Sequence, residues 1–214
     1  MTPVRVAVLV SGGGTNLQSL LDATATPGAP ARVAVAVSNR ADAGALDRAR
    51  SAGVATAVLA DHSNAAEVLR ALGHADLIVL AGYLKLVPAE VVARFRCRMI
   101  NIHPALLPAF GGPGFYGRRV HEAVLASGAT VSGATIHYVD EHYDRGAIIA
   151  QWPVPVHAGD TPDTLAARVL AVEHRLLPAV VLALARLGVP EEPVRLVAVR
   201  DGFSSSAEPF VELK

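Results

Sequence analysis

Cysteine is nearly absent from this chain: Cys97 stands alone among 214 residues. One thiol excludes an intramolecular disulfide and a cysteine-built metal cluster. Neither sign of charge is in excess, with 19 Lys and Arg against 19 Asp and Glu. The broad basic field of nucleic-acid binders is therefore missing. No uninterrupted apolar run approaches membrane-spanning length. The opening MTPVRVAVLVSGGG leads straight into a strand, without the three regions of a signal peptide. There is no internal repeat, low-complexity tract or clear linker. These absences lead us to expect a cytoplasmic protein with no nucleic-acid and no membrane partner.

What is present is apolar. Hydrophobic residues make up 52% of the chain and charged residues 18%, enough for a large core in one domain. Strand-like runs alternate with helical patterns: strands over 4–10, 31–39, 56–60, 75–82 and 98–104, and helices through residue 23, over 41–53 and near 63–72. This rhythm predicts an α/β fold: a Rossmann-like open sheet, mostly parallel, with helices on both faces. The C-terminal half differs. The runs 132–140 and 146–156, joined by a polar loop, predict an antiparallel hairpin. A long helix is expected over 161–187, capped by Thr161, opened by Pro162, and kinked or ended early by Pro178. A last strand is expected over 194–199, and the tail after it is weakly specified. We expect a single domain over 1–190 and a C-terminal extension over 191–214.

Between the first strand and the first helix lies SGGGTN. Gly12, Gly13 and Gly14 let backbone N–H groups approach an anion at a helix N-terminus, and Thr15 and Asn16 add side-chain donors. The competing reading is a tight turn with no ligand. No Gly-Lys-Ser/Thr follows, so this is not a P-loop. The third glycine of a dinucleotide fingerprint is replaced by Leu17, and strand two ends in SNR with no ribose-binding acid. Arg40 would suit a 2′-phosphate, so an NADP enzyme is weakened and not removed. A single phosphomonoester fits better.

The stretch INIHPALLP puts Asn101 and His103 two residues apart. In a strand such residues share a face, and Pro104 stops the strand just after them. In open α/β sheets, ligands bind beyond the carboxyl ends of strands. An Asn amide there can donate to an oxyanion, and a His can donate or move a proton. A capped strand end with a satisfied histidine is the alternative. The loop DEHYDRG brings Asp140, Glu141 and Asp144. A carboxylate near His103 would raise that histidine's pKa; a solvated turn is the other reading. His103, His137, His142 and Asp144 can be drawn as a metal site, but no spacing such as His-Glu-x-x-His occurs. No metal is expected.

The blocks SGGGTNLQSL, SNRADAGALDRARSAG, LAGYLKLV, NIHPALLPAFGG, TIHYVDEHYDRGAIIAQ and RVLAVEHRLLP run in order from about 4 to 190. Together they resemble the folate-dependent formyltransferases, in particular the branch that formylates glycinamide ribonucleotide in de novo purine synthesis. The resemblance implies 10-formyltetrahydrofolate as co-substrate and the ribonucleotide amine as acceptor. It implies Asn101, His103 and Asp144 as the catalytic trio. Gly12, Gly13, Gly14, Thr15, Asn16 and Glu173 would hold the ribonucleotide; Glu173 can also be read as an exposed helix charge. Leu84, Lys85, Leu86 and Val87 would line the folate pocket, with Asn101 and the 140–144 loop (Asp140, Glu141, Asp144) as its other wall. A monomer or homodimer is expected. Hydrolysis of the formyl folate by the same trio, and a non-catalytic nucleotide- or folate-binding regulator, are the alternatives. The residue meeting the folate tail has no match. Arg118, Arg119 and His121 either bind substrate or the folate's glutamate tail, or begin a surface helix.

Overall fold

The structure is a computed structural model that describes residues 2–199 and 202–205. Five strands run parallel: β1 (Val4–Val10), β2 (Ala31–Ser38), β3 (Ala55–Val58), β4 (Leu77–Leu80) and β5 (Met99–His103). Two more, β6 (Val131–Tyr138) and β7 (Ile148–Pro155), continue the sheet antiparallel, in the order β3-β2-β1-β4-β5-β6-β7. The expected mixed sheet is therefore present.

Strand β1 shows why the runs are continuous. Val6, Val8 and Val10 enter one core while Ala7 and Leu9 enter the other. Both faces are covered, so no polar alternation survives. Helices α1 (Thr15–Thr24) and α2 (Gly44–Ser51) pack on one side; α3 (Ala65–Leu72) and α4 (Ala89–Arg94) pack on the other. Neither α4 nor the full length of α5 (Arg118–Ala126) is expected from the sequence. Arg118 and Arg119 begin α5, and Arg118 also lines the cleft described below. Arg118 pairs with Glu122 and with Asp163, and Arg119 lies 5.2 Å over the Tyr116 ring.

The long helix α6 covers Pro162–Arg186, with a capping box between Thr161 and Thr164. Pro178 does not end it. Leu165, Val169, Leu176, Leu177, Val180, Val181 and Leu184 form its buried stripe, and burial of that stripe outweighs one missing backbone hydrogen bond. The 194–199 expectation is met in part. Strand β8 (Leu196–Val199) pairs with β9 (Gly202–Ser205) in a separate two-stranded sheet and does not extend the main one. The expected extension beyond residue 205 lies outside the described residues. No described helix is long and apolar enough to cross a membrane.

Candidate active site

The sheet order reverses between β1 and β4, and a crevice opens there beyond the strand ends. Ser11 joins its walls. Its N–H donates to the Gly82 carbonyl (3.1 Å), its hydroxyl donates to Asn39 Oδ1 (2.6 Å), and it accepts from the Leu84 N–H (3.0 Å). One side chain thus ties the ends of β1, β2 and β4 together.

The crevice is a cleft of about 660 Å³. Its lining includes Asn16 and Glu173, the group Asn101, His103 and Asp144, and Leu84, Lys85, Leu86, Val87 and Asp140. Gly12, Gly13, Gly14 and Thr15 sit outside this lining, next to Asn16 at the start of α1, and Glu141 is also outside it. Leu84, Leu86, Tyr116 and Tyr143 expose apolar surface around the mouth. A flat aromatic ligand would cover it.

Asn101 and His103 share a face with Met99, while Ile100 and Ile102 enter the opposite core. The hairpin between β6 and β7 brings Asp144 to them. Asp144 adopts φ 58°, and its Oδ2 accepts from the Gly112 N–H at 2.9 Å. Its two oxygens lie 3.5 Å from His103 Nδ1 and from His137 Nε2. Gly146 makes this loop path possible: a Cβ there would lie 1.8 Å from the Tyr138 carbonyl oxygen. Burial pushes the Asp144 pKa up, but positive charge on either facing imidazole, His137 or His103, and the Gly112 N–H act the other way and hold it below the ordinary carboxylate value.

His103 is buried, and Nε2 lies 2.8 Å from the Phe110 carbonyl. That partner assigns the proton to Nε2 and leaves Nδ1 facing Asp144. Burial takes the His103 pKa below its ordinary value, against the raising effects of Asp144 and the Phe110 carbonyl. At neutral pH the ring rests uncharged, with a bare nitrogen beside a carboxylate oxygen. This pair can take up one proton between them.

Glu173 is buried on the stripe of α6, so the exposed-charge reading is excluded. It accepts from Asn16 Nδ2 at 2.7 Å, and Asn16 Oδ1 is buried without a partner. Burial raises the Glu173 pKa from 4.5 to about 7, with the Asn16 hydrogen bond opposing. The folded state therefore holds this proton more tightly than the unfolded chain. Its stabilising contribution is full below pH 4.5 and is lost as pH rises to about 7. Across that window the difference is about 3 kcal/mol. In Glu173→Gln it should vanish: urea melts of wild type and variant should converge at low pH and separate above pH 7, the variant being more stable.

Sequence reasoning missed several residues. His137 was weighed only as a metal ligand. Its Nδ1 lies 2.7 Å from the Tyr138 carbonyl, so Nε2 is the acceptor and takes the Asn101 Nδ2–H at 3.0 Å. This fixes which end of the Asn101 amide faces the cleft. Asn101 and His137 are direct cross-strand partners, a signal readable once β5 and β6 are paired. Thr135 and Gln151 hold the loop that supplies the Phe110 carbonyl: Thr135 Oγ1 donates to Ala105, and Gln151 Nε2 donates to the Leu107 carbonyl. His121 was not missed: it is expected as a substrate contact or part of a surface helix start, and it is buried in the cleft wall with Nδ1 unpartnered. Among the described residues, no three His, Cys, Asp or Glu side chains are grouped to hold a metal ion.

A hydrogen-bonding Asn, a neutral His and a low-pKa Asp at the end of β5 suit acyl-type transfer between an amine and a carbonyl. The sequence profile of the family described as formyl transferase matches residues 4–181. The chain belongs to that family. Formyl transferases similar to it include the chloroplastic phosphoribosylglycinamide formyltransferase of Vigna unguiculata, 46% identical over 189 residues, which are 84% of this chain and 60% of that protein. The phosphoribosylglycinamide formyltransferase of Mycobacterium tuberculosis is 45% identical over 194 residues, 87% of each chain. The chain thus spans less than two thirds of the plant relative. The solved structure of phosphoribosylglycinamide formyltransferase from Brucella melitensis superposes with a TM-score of 0.78 and 41% identity, covering 86% of this chain and 96% of that one. A family of formyl transferases implies a one-carbon donor of the folate type and small-molecule substrates.

Within the glycine loop the three residues differ. Gly14 has φ +74°, and a Cβ there would lie 2.5 Å from Ala45 Cβ and 2.6 Å from Ala45 Cα. A Cβ on Gly12 or Gly13 meets nothing within 4 Å. Gly14→Ala should therefore destabilise the fold by about 3 kcal/mol through strain and overpacking. Gly13→Ala should stay within about 0.5 kcal/mol of wild type. Urea midpoints for the two variants check this.

Proposed function

We propose that the protein transfers the formyl group of 10-formyltetrahydrofolate to the amine of glycinamide ribonucleotide, giving the formylated ribonucleotide and tetrahydrofolate. The reading is carried by one observation: Asn101, His103 and Asp144 converge in a cleft whose lining offers two kinds of chemistry. The segment Leu84–Val87 brings apolar side chains and backbone groups, suited to a pterin. Asn16 and Glu173 are polar, and Asn16 lies at the N-terminus of α1, suited to a ribose 5-phosphate. In this reading Glu173 and Asn16, already hydrogen-bonded to each other, would meet ribose hydroxyls.

The acceptor amine attacks the formyl carbon, and the carbonyl oxygen takes on negative charge. Asn101 Nδ2 donates to that oxygen. Its contact to Asp144 Oδ1 is long at 3.4 Å, so this N–H is the one free to turn to substrate. The new C–N bond leaves the amine nitrogen with a surplus proton. The His103 Nδ1 and Asp144 Oδ2 pair receives it and delivers it to N10 of the folate, whose bond to the formyl carbon then breaks. The proton count balances, and no external oxidant or reductant enters.

The test is a two-tube assay. Purified protein is incubated with 10-formyltetrahydrofolate, with and without glycinamide ribonucleotide, and loss of the formyl folate is followed by absorbance. Loss only with the ribonucleotide is expected. Equal loss in both tubes would replace transfer with hydrolysis, and no loss in either would replace it with another acceptor or with binding alone.

A further inference from the structure

Helix α2 holds the glycine loop from one side. The Ala45 N–H donates to the Gly12 carbonyl at 3.0 Å, and Arg48 Nε–H donates to the Gly13 carbonyl at 2.8 Å. In a trans peptide the N–H points opposite to the C=O. With both carbonyls turned onto α2, the N–H groups of Gly13 and Gly14 turn away from it. They join the free N–H groups at the first turn of α1. Successive amides facing one way make an anion-sized concavity. The space beside Gly12 and Gly13 is open, as their missing contacts show.

Arg48 also stands apart from its neighbours in charge. Arg40 is paired with Asp42 and Arg50 with Asp47, while Arg48 has no carboxylate partner among the described residues. Its other contact is Gln18 Oε1 at 3.3 Å. Its charge reaches His174 of α6, whose pKa is lowered by burial and then by Arg48, and whose Nε2 is buried without a partner. A half-buried, unneutralised guanidinium thus stands at the loop, between α2 and α6.

We propose that Arg48 is a positioning residue that sets specificity for a phosphorylated acceptor. It locks the Gly13–Gly14 peptide with its amide outward and adds positive charge at the phosphate. The inference rests on the ribonucleotide reading above. Its readout is the preference for glycinamide ribonucleotide over the same acceptor without the 5′-phosphate. Arg48→Met should raise the ribonucleotide KM by about tenfold or more, the loss expected for a charge-assisted contact. It should leave kcat within about twofold and reduce the phosphate preference by a similar factor. Arg48→Lys, which keeps the charge and a donor, should recover part of that preference. A merely loosened fold would lower turnover of both acceptors alike; retained preference in Arg48→Met overturns the proposal. Calorimetry with ribose 5-phosphate separates this result from failure of the functional reading. If wild type transfers no formyl group yet binds ribose 5-phosphate, and Arg48→Met binds it at least tenfold more weakly, the function falls and the role of Arg48 stands. If wild type transfers and Arg48→Met keeps its preference, only the Arg48 role falls. If wild type neither transfers nor binds, both fall.

Discussion

Asp144→Asn is expected to lower kcat by about a thousandfold while the fold persists. The substitution keeps the size and the acceptor oxygen that meets the Gly112 N–H, provided the amide oxygen takes that place. It removes the charge that faces both His103 Nδ1 and His137 Nε2. A neutral amide cannot accept the proton shed by the attacking amine. Asp144 also raises the His103 pKa, against the larger effect of burial. Without it the imidazole should titrate at still lower pH. The expected result has two parts: single-turnover transfer slowed about a thousandfold, and the His103 ring titration, followed by NMR, displaced to lower pH. Circular dichroism should be unchanged. Near-normal transfer in a folded Asp144→Asn protein would remove Asp144 from the proton path.

Asn101→Ala should cost about a hundredfold to a thousandfold in kcat, the range for loss of one oxyanion donor. The variant His137→Ala tests how that donor is aimed. His137 does not face the reacting carbonyl in this scheme; it acts through the 3.0 Å contact that orients Asn101. Its loss should cost about tenfold, because the amide can then turn either way. The double variant should be no slower than Asn101→Ala, since His137 has nothing left to orient. Losses that multiply in the double variant would give His137 a role of its own.

Much of the architecture was legible before any coordinates. Continuous Val, Leu and Ile runs separated by helical patterns require a sheet covered on both faces, and β1 shows this residue by residue. The two-residue spacing of Asn101 and His103 requires a shared face, and Pro104 requires the strand to stop. Glu173 was legible in principle as well. It falls four residues after Val169 and four before Leu177, on the buried stripe of α6. The exposed-charge reading overlooked the burial that this spacing dictates. Of the two effects offered for Pro178, the early end fails, because packing overrides that local rule.

Other features depend on distant segments meeting. His137 orients Asn101 only because β5 and β6 pair in that register. The His103 tautomer depends on the Phe110 carbonyl, delivered by a loop that Thr135 and Gln151 hold. Asp144 reaches His103 because the hairpin bends there, and Gly14 is required because α1 and α2 touch at Ala45. The sequence by itself determined the periodicities, hence the strands, the helices and the pair of polar groups at the end of β5, since these follow from neighbours along the chain. Only the tertiary structure decided protonation, amide orientation and the distances between the trio. Desolvation and hydrogen bonding depend on what surrounds a group in space, and those surroundings come from residues tens of positions away.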